Sequence, residues 1–201
     1  MLKCLVDVKR DHVYGNRMAP VQVVEYGDFH CPNCIESYIE VKKLLREMGD
    51  DINLTFRHFP NTELHPLSLD AAVACEIADR QGKFWHMHDI LFEKPRCFTR
   101  RAIIKIGEDL EIDMAPFEDN GVYKKLAMRV FSDFEGGMRS GVTVTPTFFV
   151  NGLRYNGDNR FDSLQKACRY ALLIKINEAN LISQYKSCEK FGLHGTLRKS
   201  G

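Results

Sequence analysis

Apolar positions along the chain change period several times, and each change marks an element. Pro20 introduces a β-branched run, Val21, Val23 and Val24, which predicts a central strand. Helical spacing follows in Ile35, Tyr38, Ile39, Val41, Leu44, Leu45 and Met48. A helix is therefore expected from Cys31 to about Met48, stopped by Gly49-Asp50-Asp51. Ile52 to Phe59 alternates as a strand, and Pro60 ends it. Strand, helix, strand in this order predicts a parallel βαβ unit with a right-handed crossover. From about Leu64 to Met138 the spacing is helical, with segments over 67–81, 84–92 and 100–110 and at least one more within 117–138. Gly82, Pro116 and Gly121 punctuate it.

The strand pattern returns over Val142–Val150, but Pro146 stands inside it. Proline disrupts an interior strand, so it belongs at the strand's start or in a special bond. A cis Thr145–Pro146 peptide would let the strand begin at Thr147. Asn151-Gly152 is a two-residue hairpin signal, with Leu153-Arg154-Tyr155 as the returning strand. Asp158 or Asn159 then caps a last amphipathic helix carrying Phe161, Leu164, Cys168, Ala171 and Leu172 on one face. Its pattern weakens past Asn177, and Leu181, Ile182 and Tyr185 extend it. Residues 1–19 read as an arm, and Gly192 to Gly201 as a loose tail.

Composition narrows the class. The chain has 201 residues, is 44% hydrophobic and carries a formal net charge of +1, which suits one globular unit with a sizeable core. The neutral balance gives no reason to expect nucleic acid or an anionic membrane surface. No apolar run is long enough to span a bilayer. Residues 1–20 scatter charges among short apolar runs, so no secretory signal is read and a cytoplasmic chain is expected, or a periplasmic one if a signal was removed before this numbering begins. The seven cysteines are an odd number, which suits a reducing compartment with one catalytic pair and bystander thiols. Cys75 and Cys168 fall on apolar helical faces and read as small buried hydrophobes. Cys4, Cys97 and Cys188 lie in less regular surroundings, and a second pair among them stays open.

The candidate chemistry sits where the first strand runs into the first helix, at Cys31-Pro32-Asn33-Cys34. A cysteine capping a helix faces unpaired N–H groups and the positive end of the dipole. That favours thiolate, the nucleophilic form. Pro32 at the first helical position loses nothing by lacking an N–H. Cys34 lies one turn on, within reach of a disulfide. Zinc is the alternative, but a structural site needs four ligands and no other two cysteines repeat the spacing. His30 adjoins Cys31 and does not turn easily toward the same metal, so no metal is expected. A purely structural disulfide would close too short a loop to constrain the unfolded chain. Glu25 closes the central run, partly buried beneath the pair. Burial would raise its pKa and let it exchange a proton with Cys34, or it is simply a satisfied strand-end acid. His86 and His88 are two apart on a helix and point to different faces, so they read as packed or solvated. Trp85 reads as core.

The order βαβ, helical insertion, hairpin, helix, with Cys-x-x-Cys at the first helix and a Thr-Pro before the hairpin, resembles the thioredoxin fold. The inserted helices make it similar to the DsbA-like thiol–disulfide oxidoreductases. The likeness spans roughly residues 13–176 and includes Glu25-Tyr26-Gly27-Asp28, Phe56-Arg57-His58-Phe59-Pro60, His65-Pro66, Gly82-Lys83-Phe84-Trp85, Met87-His88-Asp89 and Thr145-Pro146-Thr147-Phe148-Phe149. It implies an α/β chain with an arm (1–19), a discontinuous thioredoxin-fold domain (20–63 and 139–178), a helical insertion (64–138) and a C-terminal extension (179–201). It makes Cys31 the exposed nucleophile, Cys34 the resolving thiol and Glu25 the buried acid. Pro146 becomes the cis-proline facing the disulfide, and Thr145 presents backbone to an extended substrate, with Pro32, Asn33 and His30 alongside. The implied activity is disulfide exchange with protein or small-molecule thiols, recycled by a redox partner. No cofactor is implied beyond the cysteine pair, and no nucleic acid or membrane partner. Pro32-Asn33 departs from the family's usual pairs. Asn33 adds no charge to support the thiolate, which leans the expectation toward a reductive, isomerising or detoxifying role. A glutathione-dependent transferase or isomerase, with glutathione as co-substrate, and a non-catalytic peptide-binding module are the alternatives.

Overall fold

Val21–Gly27 forms β2, the strand around which the sheet is laid. The computed structural model describes residues 1–94 and 99–190, with side chains through residue 183. β1 is His12–Gly15, α1 Pro32–Met48 and β3 Ile52–His58. α2 (Ser68–Asp79), α3 (Phe84–Glu93), α4 (Arg100–Asp109), α5 (Ala115–Glu118) and α6 (Asn120–Arg139) follow before the sheet resumes. β4 (Thr147–Val150), β5 (Leu153–Arg154) and α7 (Phe161–Lys190) complete the order. The five strands lie in the order β1-β3-β2-β4-β5. β2 runs parallel to β3 from Val21↔Ile52 to Gly27↔His58 and antiparallel to β4 from Val23↔Val150 to Tyr26↔Thr147.

The period-two rule sorts β2 into two faces. Val21 and Val23 pack with Val41, Leu44 and Met48 of α1 and with Phe161, Leu164 and Cys168 of α7. Val24 and Tyr26 pack on the other side with Phe59, Val142 and Phe149. Glu25 shares the α1 face, so the acid points toward the helix that carries the cysteines. Gly27 follows two residues later, where a Cβ would sit 2.5 Å from the Phe56 ring. The strand therefore needs glycine there, because a neighbouring aromatic fills the space. The hairpin turn has positive φ at both Asn151 (46°) and Gly152 (79°), which the Asn-Gly pair tolerates.

Two sequence expectations change. The stretch read as an arm contributes β1, an edge strand antiparallel to β3 with His12 opposite Phe56. Four residues are too few to show a period. The alternation read in β3 does not mark a solvent face, because all seven of its residues are buried. Helices cover both sides of the sheet, and Thr55 and Arg57 are buried with the rest. α7 continues as one helix past the weakening at Asn177, as the apolar positions beyond it had suggested. The tail from Gly192 lies outside the described residues, as do Cys97 and the side chain of Cys188, so the question of a second pair lies there too.

A buried polar cluster ties the inserted helices to the sheet. His12 Nε2 and His58 Nε2 both meet Glu76 Oε1 of α2, at 2.8 and 3.1 Å. Asp79 lies 3.2 Å from His12 Nδ1. Burial opposes charge on His12, but hydrogen bonds and attraction from Asp79 and Glu76 outweigh it and raise its pKa to about 9. His12 is thus imidazolium at neutral pH, and the cluster is an ion pair extended by a second histidine.

Candidate active site

β2 ends at Gly27, and the chain needs only four residues to reach the first helix. Cys31 is the N-cap of α1, with extended backbone (φ −73°, ψ 122°) and Pro32 in the first turn. Its carbonyl accepts from the N–H groups of Cys34 and Ile35 at 3.0 and 3.1 Å. Cys31 is 7% exposed and Cys34 fully buried, both as free thiols. The nucleophile implied as exposed is open only through a narrow window, because the chain before β4 covers it. The Cys31 thiol donates to the Thr145 carbonyl at 3.3 Å. The Thr145–Pro146 peptide beside it is cis, and Pro146 is buried. Pro32 and Asn33 are exposed, while His30 and Thr145 are half-buried. Thr145, Pro146, Pro32, Asn33 and His30 therefore form one rim around Cys31.

The electrostatics drive the two thiols apart. The Cys34 hydrogen bond lowers the Cys31 pKa against the opposing effect of burial. The Thr145 side chain and the backbone N–H groups of Cys34 and Asn33 assist, and the value falls to about 5. At neutral pH Cys31 is a thiolate. Asn33 does contribute to that thiolate, through its main chain, which needs no side-chain charge. Burial pushes the Cys34 thiol well above the ordinary range, helped by Cys31 and Glu25. Glu25 is 3% exposed, and burial, with the nearby Cys31 charge, raises its pKa to about 8. The raised pKa expected from burial is therefore present at Glu25. Its charge also acts on Cys34.

Asp28 is the residue that sequence reasoning passed over. Its buried carboxylate accepts from the His30 N–H (2.8 Å), the Asn61 N–H (3.0 Å), the His65 ring (2.8 Å) and the Ser68 hydroxyl (2.7 Å). Its own N–H points at Cys34 Sγ, 3.5 Å away. One side chain thus pins the loop before the cysteines to the loop after β3 and to the start of α2. The available signal was the recurrence of Asp28 and His65-Pro66 in the same family pattern, but their contact is 37 residues apart in sequence.

Among the described residues, one set of three side chains brings metal-ligating atoms within 4.8 Å of each other, namely His12, His58 and Glu76. Both histidines meet Glu76 Oε1 through Nε2, and His58 Nδ1 is buried with no hydrogen-bond partner among the described residues. No third ligand of that kind joins Cys31 and Cys34 among the described residues, so the zinc reading of the pair lacks its remaining donors.

Comparison with known proteins agrees with this geometry. The family model described as thioredoxin matches residues 7–169. Among solved structures, BdbD from Bacillus subtilis in its oxidised form superposes with a TM-score of 0.74 at 24% identity, covering 83% of this chain and 95% of that one. The α-DsbA1 of Wolbachia pipientis gives 0.74 at 17% identity, covering 87% and 97%. The fold is thus the DsbA-like form of the thioredoxin fold. A sequence relative from Salinispora arenicola, named Na(+)/H(+) antiporter NhaA 1, is 41% identical over 162 residues, 81% of this chain. The chain spans 25% of that protein's length. Further relatives carry the same kind of name. These names overturn the cytoplasmic expectation and point away from that compartment. Among the described residues, no helix is long and apolar enough to cross a membrane.

Proposed function

Because this chain belongs to the thioredoxin family, we propose that it is a thiol–disulfide oxidoreductase that oxidises protein dithiols through Cys31 and Cys34. The observation that carries the reading is a lowered-pKa thiol at a helix N-cap beside a Thr-Pro segment, with a high-pKa thiol one turn deeper. In the oxidised state a substrate thiolate attacks Cys31 Sγ. The Cys31–Cys34 bond breaks, and Cys34 leaves as a thiolate that takes a proton from Glu25. A second substrate thiolate then attacks the substrate sulfur of the mixed disulfide and expels the Cys31 thiolate. The substrate loses two electrons, the pair gains them, and a recycling partner removes them again.

Direction follows from the leaving group. A stabilised Cys31 thiolate favours the reduced pair and makes its disulfide the stronger oxidant. The reductive lean drawn from Asn33 presumed both a weak thiolate and a cytosolic setting, and neither supports it now. The Thr145 backbone beside Cys31 supports an extended peptide as the substrate. The test is oxidation of a reduced peptide dithiol by the oxidised protein, with the pair's potential measured against glutathione. We expect a potential above that of reducing thioredoxins, about −270 mV, and no turnover by Cys31→Ser. Equal rates from wild type and Cys31→Ser would remove Cys31 from the reaction.

A further inference from the structure

Cys34 carries negative charge when it leaves Cys31, and again when it attacks to close the pair. The sulfur is fully buried, so water does not solvate that charge. A donor fixed in advance has to meet it. The Asp28 N–H lies 3.5 Å from Cys34 Sγ. It favours the thiolate where burial, Cys31 and Glu25 oppose it.

What aims this N–H can be followed bond by bond. The Gly27 carbonyl and the Asp28 N–H belong to one planar trans peptide and point to opposite sides of it. The Gly27 carbonyl accepts from the Phe59 N–H at 2.8 Å, just past β3, which fixes one side of the plane. Asp28 fixes the other. Its own carbonyl accepts from the Cys31 N–H at 3.1 Å, and its Oδ1 from the His30 N–H at 2.8 Å, so the turn into α1 is closed on it. Three further donors come from outside the turn: the Ser68 hydroxyl on Oδ1 at 2.7 Å, and the Asn61 N–H and His65 ring on Oδ2 at 3.0 and 2.8 Å. The side chain has no exposed surface. A carboxylate offers about four lone-pair sites, and all are engaged. Turning the peptide away from Cys34 would break the Gly27–Phe59 bond or pull the carboxylate off these donors.

We propose that Asp28 is a positioning residue whose carboxylate holds the Gly27–Asp28 peptide so that its N–H meets Cys34 Sγ whenever that sulfur carries charge. The inference rests on the oxidoreductase reading above and deepens it. A substrate thiolate attacks Cys31 Sγ, the Cys31–Cys34 bond breaks, and its electron pair goes to Cys34 Sγ under the Asp28 N–H. In the closing direction Cys34–SH gives up its proton, as in the reaction above, to Glu25. The Cys34 thiolate attacks Cys31 Sγ of the mixed disulfide, and the substrate thiolate leaves. Cys34 is a thiol before closure and half of a disulfide after it. The contact therefore strengthens only during passage, which speeds both directions and leaves their balance alone.

The test mixes the reduced full chain with dithiodipyridine and maps the Cys31 and Cys34 peptides in quenched samples, so that other thiols do not enter. The first thiopyridone leaves when Cys31 attacks the reagent, and the second when Cys34 attacks Cys31 Sγ. Asp28→Ala should keep the first release within about twofold of wild type and slow the second at least about fivefold, as the loss of a hydrogen bond to a charged group requires. Reduction of the closed pair by glutathione should slow by a similar factor, because Cys34 leaves as a thiolate there too. The dithiol–disulfide equilibrium against glutathione should move less than about twofold. A site that was merely strained or loosened would displace that equilibrium as well. Asp28→Asn keeps the volume and one acceptor oxygen, and it carries the same expectations should Asp28→Ala fail to fold. A smaller slowing of the second release in a folded variant overturns the proposal, and so does an equilibrium displaced as far as the rate. Absence of the first release at Cys31 in wild type is a different failure, and it removes the oxidoreductase reading itself.

Discussion

Replacing Glu25 by glutamine separates the acid's cost to the fold from its use to the site. The carboxyl is 3% exposed, and burial and the nearby Cys31 charge move its pKa from 4.5 to about 8. In the unfolded chain it ionises near 4.5. Between those values the native state holds a proton that the unfolded state has lost, so native stability falls as pH rises. The displacement corresponds to roughly 4 to 5 kcal/mol once pH exceeds the folded value, and about 3 kcal/mol near neutrality. This is a large share of a typical domain's 5–15 kcal/mol. Glu25→Gln removes the titration and keeps the shape. Any cost of burying the amide is independent of pH, so it shifts the stability curve without bending it. Urea unfolding at several pH values from about 4 to about 9 is the assay. The variant should gain on wild type progressively above 4.5 and level off above about 8. The gain should be smaller in the disulfide form, where Cys31 carries no charge. Parallel curves for the two proteins would refute the buried-acid assignment. A gain of the same size in both redox states would refute the coupling to Cys31.

Three further outcomes follow from the same geometry. Cys34→Ala should raise the Cys31 pKa from about 5 to roughly 6–7, since a hydrogen bond to a charged group is worth about 1.5–3 kcal/mol; the pH dependence of alkylation reads it, and an unmoved midpoint would assign the thiolate to the helix terminus alone. The His12 pKa is raised from 6.5 to about 9, so the cluster's stabilisation is full below 6.5 and is lost as pH rises through about 9. His12→Gln should flatten the denaturation midpoint over that window, and a wild-type midpoint constant from 6.5 to above 9 would contradict the assignment. Gly27→Ala puts a methyl group 2.5 and 2.8 Å from Phe56 ring atoms and should cost about 1–3 kcal/mol in urea unfolding, while a variant as stable as wild type would mean the ring moves freely.

Local patterns made much of this molecule legible before any coordinates. The period change at Cys31, the Asn-Gly turn and the misplaced Pro146 each act within a few residues, and each appears where the pattern puts it. The site was legible for the same reason, because a cysteine at a helix start and another one turn on need only helix geometry. What escaped was non-local. Asp28 owes its importance to Asn61, His65 and Ser68, which the fold brings together. β1 is a strand only because β3 offers it an edge. His86 and His88, by contrast, read as packed or solvated from their spacing, and His88 is packed against Phe56, Trp85 and Phe92.

The lean toward a reductase weighed one side chain, and the structure shows which donors lie nearer to the sulfur. Asn33 carries no charge, and that much is correct. Yet a thiolate at a helix cap is surrounded by donors that need no charge. The Cys34 thiol is the largest influence, and the main-chain N–H groups of Asn33 and Cys34 join it with Thr145. Hydrogen bonds to an ion are worth about 1.5–3 kcal/mol each, so several of them outweigh one absent side-chain charge. The same donors would serve whichever residue stood at position 33, provided it kept an N–H. It follows that Asn33→Ala should leave the Cys31 pKa within about half a unit, whereas Thr145→Val, which removes a hydroxyl near the sulfur, should raise it. The reverse ranking, measured by the same alkylation profile, would place the control of this thiolate in the side chain between the cysteines and restore the weight first given to it.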